Sequence, residues 1–442
     1  MARLKWAAAC ISAAVLSACG GGAPNELALA HANDPALATK RPSRGTHPDA
    51  PASPAFQPFD VEVTTTAGDA HGPDVARFAD GSSLVVWAVQ GDMFGQRLDT
   101  RGALTGAVLQ LGMTDAPGPQ RLTVTALSSG GFLLAWAQDL HATTPAGVRQ
   151  AVHAQRFTAS GDPVGERILV SESPVHPGVL DLTVQPTAEG GFDVGWTGKP
   201  GRAGLGRAYV QRYAADAVPS GGNVAVSETP GEQSRIELVP LPNGTLVAAW
   251  VNTTADAVPV SSVYTRRINR HAEPVGPETE VAASRGSTAI PEIAATGVSH
   301  ATFALAWHRG DYSLQPSILV QTLGMNGREV TPAVVLPTAP FVYKLNAITL
   351  QDHAFAIAWQ NERGWNRGTS ASIGLQEFDA DARMQGASEV LADRLTSWWS
   401  SVGPQHGISG KDYAIAGGPD GHVVLVYEGV GNGGSTVHAL GR

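Results

Sequence analysis

From Phe59 onward, apolar residues gather in short runs of about five, most of them closed by a tryptophan, and not at the three-to-four spacing of a helix. The runs read Ser83-Leu84-Val85-Val86-Trp87, Phe132-Leu133-Leu134-Ala135-Trp136, Phe192-Asp193-Val194-Gly195-Trp196, Leu246-Val247-Ala248-Ala249-Trp250, Phe303-Ala304-Leu305-Ala306-Trp307 and Phe355-Ala356-Ile357-Ala358-Trp359. A seventh, Val423-Val424-Leu425-Val426-Tyr427, replaces tryptophan with tyrosine. Successive aromatic ends stand 49, 60, 54, 57, 52 and 68 residues apart. Turn pairs precede most runs: Asp80-Gly81, Gly130-Gly131, Gly190-Gly191, Asn243-Gly244 and Asp420-Gly421. These pairs are hairpin turns feeding strands.

A second phrase follows each run. It reads Phe94-Gly95-Gln96-Arg97-Leu98, His153-Ala154-Gln155-Arg156-Phe157 and Tyr209-Val210-Gln211-Arg212-Tyr213 in the early copies. Tyr264-Thr265-Arg266-Arg267-Ile268, Leu319-Val320-Gln321-Thr322-Leu323 and Gly374-Leu375-Gln376-Glu377-Phe378 follow. A further turn leads to a short outer strand such as Ile168-Leu169-Val170. Each unit thus supplies about four strands, and four-stranded units at this period predict an all-β, seven-bladed β-propeller. The last unit ends at its third strand. The segment Phe59-Asp60-Val61-Glu62-Val63 parallels the outer strand of the other units, so the N-terminal strand is expected to complete the last blade. A ring of six or eight blades, or tandem sandwiches, are the alternatives. Immunoglobulin-like sandwiches need roughly 100 residues each, which this period does not supply.

One tryptophan per unit is expected to pack between blades, each burying roughly 200 Å². The repeated Gln and Arg are expected to satisfy backbone groups.

Composition adds location. Hydrophobic residues at 43% allow a core, and 51 glycines with 30 prolines fit a turn-rich β protein. A net charge of −9 disfavours a nucleic-acid partner. At the N-terminus, Arg3 and Lys5 precede the apolar Ala7–Leu16, which is too short to cross a bilayer and reads as an export signal. Leu16-Ser17-Ala18-Cys19 resembles the lipobox of bacterial lipoproteins. That resemblance implies cleavage before Cys19, acylation of its sulfur and amine, and anchoring in a membrane. Gly20 is not the aspartate that signals inner-membrane retention in that family, so the outer membrane is expected. The organisation predicted is therefore a signal peptide over 1–18, a lipidated, Gly/Ala/Pro-rich tether over 19–58, and the propeller over 59–442. Cys10 leaves with the signal and Cys19 carries lipid, so the mature domain has no thiol for a disulfide or metal site.

The phrases Gly130-Gly131-Phe132-Leu133-Leu134-Ala135-Trp136 and Val152-His153-Ala154-Gln155-Arg156-Phe157 resemble repeats of uncharacterised bacterial secreted and surface proteins. The resemblance spans the repeat region and implies the propeller without an activity. Sialidase Asp boxes, Gly-His/Trp-Asp repeats, kelch double glycines and quinoprotein-like repeats are not met.

Chemistry is expected where the units differ most, on the face shared by the loops entering the innermost strand and those leaving the second. Those loops hold Arg309, Asp311, Tyr312, Glu362, Arg363 and Trp365, and an insertion over 395–411 holds Trp398, Trp399 and His406. Trp and Tyr beside Arg compose a binding hot spot or a sugar-stacking platform. The plainer reading of Trp398 and Trp399 is a plug that fills the gap at the closing joint. No cofactor is implied, and the scattered histidines lack metal-site spacing. The expected role is a membrane-anchored, non-enzymatic propeller binding a protein or glycan partner. The alternatives are a carbohydrate-active hydrolase or lyase using Asp311 and Glu362, and a structural or assembly scaffold of the outer membrane.

Overall fold

The computed structural model describes residues 57–64, 70–113, 120–144, 147–172, 176–199, 204–285, 292–309, 317–337, 341–362, 370–396, 413–418, 420–431 and 434–442. These residues form seven four-stranded antiparallel sheets and a single 3-10 turn, Gln351–His353. The sheets are the blades of a seven-bladed propeller. Blades 1 to 6 span residues 71–113, 120–169, 176–225, 232–285, 293–337 and 341–396. In each, four strands run in chain order from the innermost (A) to the outermost (D).

Blade 7 takes strands A to C from residues 413–441 and its outer strand from Phe59–Glu62. Phe59 pairs with Gly441 and Val61 with Ala439. Beyond the strand, the Val63 amide donates to the Val437 carbonyl at 2.8 Å, and the Val437 amide donates to Thr64 Oγ1 at 3.1 Å. Chain ends are thus stitched into one sheet, which removes an open edge at the joint.

Burial falls from inside to outside, and composition follows it. Strand B of blade 1, Ser83–Val89, is buried at every position because blades cover both its faces, so it reads as a continuous apolar run. Strand D of blade 2, Pro163–Leu169, is mostly exposed and carries the charged pair Glu166 and Arg167.

Within a blade, the tryptophan of strand B stands opposite the first residue of the second phrase. Trp87 stacks on Phe94, Trp136 on His153, Trp196 on Tyr209 and Trp250 on Tyr264, with ring centroids 5.5–6.1 Å apart. These are cross-strand aromatic pairs on one sheet face. In blade 6 the partner is Gly374, and a Cβ there would lie 2.5 Å from the Trp359 ring, so the indole fills the vacant side-chain space.

The repeated glutamine satisfies carbonyls at a bulge between strands C and D. Gln96 Nε2 donates to the Thr105 carbonyl at 2.9 Å, Gln155 to Val164 at 3.2 Å, Gln211 to Gly221 at 3.1 Å and Gln376 to Gln385 at 3.0 Å. The register shifts at these points in each blade. The neighbouring arginine can clamp blade to blade. Arg212 pairs with Asp193 at 2.7 Å and donates to the Gly244 carbonyl of the next blade at 2.6 Å.

Candidate functional site

The seven innermost strands surround a central cavity of about 580 Å³. Its lining is mostly polar, although these strands bury Leu122, Leu182 and Ile236 between blades. The difference arises from a bulge near the start of strand A. An extra residue falls between His71 and Asp74, Gln120 and Thr123, Val179 and Asp181, Ser234 and Glu237, and Val342 and Lys344. A bulge re-aims side chains that regular alternation would place between sheets. In blades 2 and 4, Arg121 and Arg235 sit at the bulge with φ of 57° and 58°. Gly72 holds the corresponding place in blade 1 at φ 58°. The left-handed region suits glycine and costs an arginine of order 1 kcal/mol or more.

Charges of alternating sign therefore meet at one end of the channel: Arg121, Asp181, Arg235, Glu292 and Lys344, from blades 2 to 6 in turn. Arg235 is the hub. Its Nη1 lies 3.2 Å from Asp181 Oδ1 and its Nη2 lies 2.5 Å from Glu292 Oε1. The Arg235 amide and the Thr197 hydroxyl both donate to Asp181 Oδ2 at 2.8 Å. Lys344 Nζ donates to the Tyr413 carbonyl and lies 4.7 Å from the centre of its ring. Arg121 differs from these in making no salt bridge within 4 Å among the described residues; its buried Nε, like that of Arg235, has no hydrogen-bond partner. One layer deeper, Asp74 accepts from the Val75 and Val124 amides at 3.0 Å, and Glu237 also lines the cavity.

The electrostatics follow from this crowding. Burial pushes the Asp181 carboxyl up, but Arg235 and Arg121 with the two hydrogen bonds pull it below the usual carboxylate range. Burial dominates at Glu292. Arg235, already shared with Asp181, offsets only part of it, and the carboxyl is raised to about 7. Burial lowers Arg121, reinforced by like charge on Arg235 and opposed by Asp181 and Glu292. His308, whose amide donates to the Glu292 carbonyl at 2.9 Å, is lowered by burial, and its Nε2 has no partner.

Two of the sequence-derived candidates, Arg309 and Glu362, lie at the same end of the strands, by topology. Arg309 is exposed at the end of strand B of blade 5, paired with Ser317. Glu362 ends strand B of blade 6, paired with Phe341 and Ala371. Asp311, Tyr312, Arg363, Trp365, Trp398, Trp399 and His406 lie outside the described residues, as does Cys19. None of the five channel charges was among those candidates. Their signal was present: each stands fifteen positions before the tryptophan of its own blade.

No protein-family model matches the chain, and no curated protein sequence does. Solved structures do. A protein of unknown function from Dyadobacter fermentans aligns with TM-score 0.51 at 10% identity, covering 86% of this chain and 97% of its own. An ulvan lyase of polysaccharide lyase family 25, solved bound to -[GlcA(1-4)Rha3S]-, aligns with TM-score 0.50 at 10% identity, covering 84% and 94%. At this identity the likeness is one of fold.

Proposed function

We propose that this chain is a lipid-anchored envelope propeller that binds saccharide in the mouth of its central channel. One observation carries the reading: a concave, polar cavity of about 580 Å³ where charged groups from five blades converge. That volume suits the end of an oligosaccharide. It does not suit a folded protein partner, whose contact would spread over roughly 800 Å² of a flatter surface. Ligand sites favour loops and strand ends held by a rigid frame, and the strand ends Arg309 and Glu362 lie at this same end. The anchor rests on Leu16-Ser17-Ala18-Cys19. The test is a thermal-shift and calorimetric screen of the full-length protein in detergent against neutral and acidic oligosaccharides. Binding to the folded state raises the midpoint. No saccharide raising it would sink this reading.

A second reading is favoured by Glu292. A carboxyl raised to about 7 and facing a cavity is poised to donate and accept protons near neutral pH. A hydrolase or lyase would use it in place of the loop carboxylates Asp311 and Glu362. Product release from any bound saccharide, abolished by Glu292→Gln with binding retained, would select this reading over simple binding.

A further inference from the structure

We propose that the channel mouth is a receptor for an anionic group, a carboxylate or sulfate carried on a saccharide, and that Arg121 is its principal contact. The proposal rests on the saccharide reading above and adds the ligand's charge.

Two independent observations single out Arg121. The first is its pairing. Arg235 is spent on Asp181 and Glu292, which it holds at 3.2 and 2.5 Å. Lys344 is held by the Tyr413 carbonyl and ring. Arg121 faces the same cavity with no carboxylate within 4 Å among the described residues, so its guanidinium, unlike that of Arg235, has no ion-pair partner. Asp181 and Glu292 act on this guanidinium only from beyond contact distance, so its burial is under-compensated, and an anion arriving from the channel is the group that would relieve it. The second observation is backbone strain. Arg121 occupies φ 57°, where blade 1 uses Gly72 at φ 58°. A residue held in a sparsely populated conformation while its side chain lacks a structural partner marks function more than architecture. Arg235 shares the strain at φ 58°, but two salt bridges account for its presence.

The carboxylates nearby do not cancel this. Asp181 is engaged by Arg235 and Thr197, and Asp74 by two backbone amides. Glu292 leans on Arg235. Glu237 lies a layer deeper. A neutral sugar would leave Arg121 without a contacting anion. An anionic one supplies two oxygens that match the guanidinium fork.

The geometry also provides a variant that should fold. Arg121→Gly removes the cation and, as Gly72 shows, suits the left-handed backbone. Full-length wild type and this variant would be titrated calorimetrically with trigalacturonate and a heparin-derived tetrasaccharide, and with neutral galactotriose. The expected result is at least tenfold tighter binding of one acidic probe than of galactotriose, weakening with added salt. Arg121→Gly should lose at least tenfold of that affinity while its thermal midpoint is unchanged or higher. Arg121→Lys should recover part of it. Equal binding of acidic and neutral probes, or full affinity in Arg121→Gly, overturns the anion proposal and leaves saccharide binding standing. Binding of no saccharide at all overturns both.

Discussion

Glu292 stands between opposed influences, and the balance has a sign that can be measured. Its contact with Arg235 at 2.5 Å favours the carboxylate, while burial beside Asp181 favours the acid. Burial prevails, and the group rises from 4.5 to about 7. The folded protein therefore binds a proton that the unfolded chain has released between those limits. Stability contributed by this group is full below the unfolded value, falls as pH rises from about 4.5 to 7, and is flat above. At 1.36 kcal/mol per unit the fall is up to about 3 kcal/mol. Chemical denaturation of the wild type from pH 4.5 to 8 should show this decline, and Glu292→Gln should flatten it. Asp181 acts in the opposite sense. Being lowered, it loses stabilisation only as pH falls through the most acidic part of the range. A wild-type profile without slope between pH 5 and 7 would mean that Arg235 keeps Glu292 ionised.

At the scale of the element, one bulged strand produces opposite outcomes in two blades. Arg121 and Arg235 share a φ near 58° and a place at the start of strand A. Arg121→Gly is expected to leave stability unchanged or improved. Arg235→Gly relieves the same strain but leaves Asp181 and Glu292 without their shared cation, and breaking this partly buried network is expected to destabilise the protein by more than the strain relief gains. Paired denaturation curves would show the contrast; equal effects would mean that Arg235 is not the hub. The same strands show what could be read in advance. Strand B was legible because burial on both faces makes it a continuous apolar run ending in an indole, and turn pairs delimit it. Strand A was not, since the bulge breaks its alternation and a single charge per blade, of changing sign, looks like scatter. The period betrays it only when counted back from the tryptophan. Arg121, Asp181, Arg235, Glu292 and Lys344 all fall at that spacing, as does Asp412 before Tyr427, outside the described residues. The loop candidates were chosen for their divergence, and divergence carries no signal for the groups inside the channel.

For the whole molecule, closure is the property that no single blade has. The ring holds because Phe59 lies between two backbones that have no side chains at that point. A Cβ on Gly441 would come within 2.2 Å of the Phe59 ring, and one on Gly102 within 2.1 Å. Gly441 belongs to the last strand of the chain, its partner in the first blade follows strand C, and Phe59 opens the strand that completes blade 7. The ring cannot yield towards either side, so Gly441→Ala must displace it or part the strands. Overpacking of this kind costs about 1–3 kcal/mol. Phe59→Ala removes the obstacle and sacrifices its packing, for a loss of about 3 kcal/mol at most given that it is only partly buried. The two changes should not add. With Phe59 truncated, Gly441→Ala has room, and its cost should drop to within about 0.5 kcal/mol of zero. Because a propeller that opens at its joint exposes the Phe59 strand and its partner together, both single variants should unfold in one cooperative transition and not lose blade 7 alone. Additive losses in the double variant would show that the ring is closed by the backbone ladder between 59–62 and 438–441, with Phe59 a bystander.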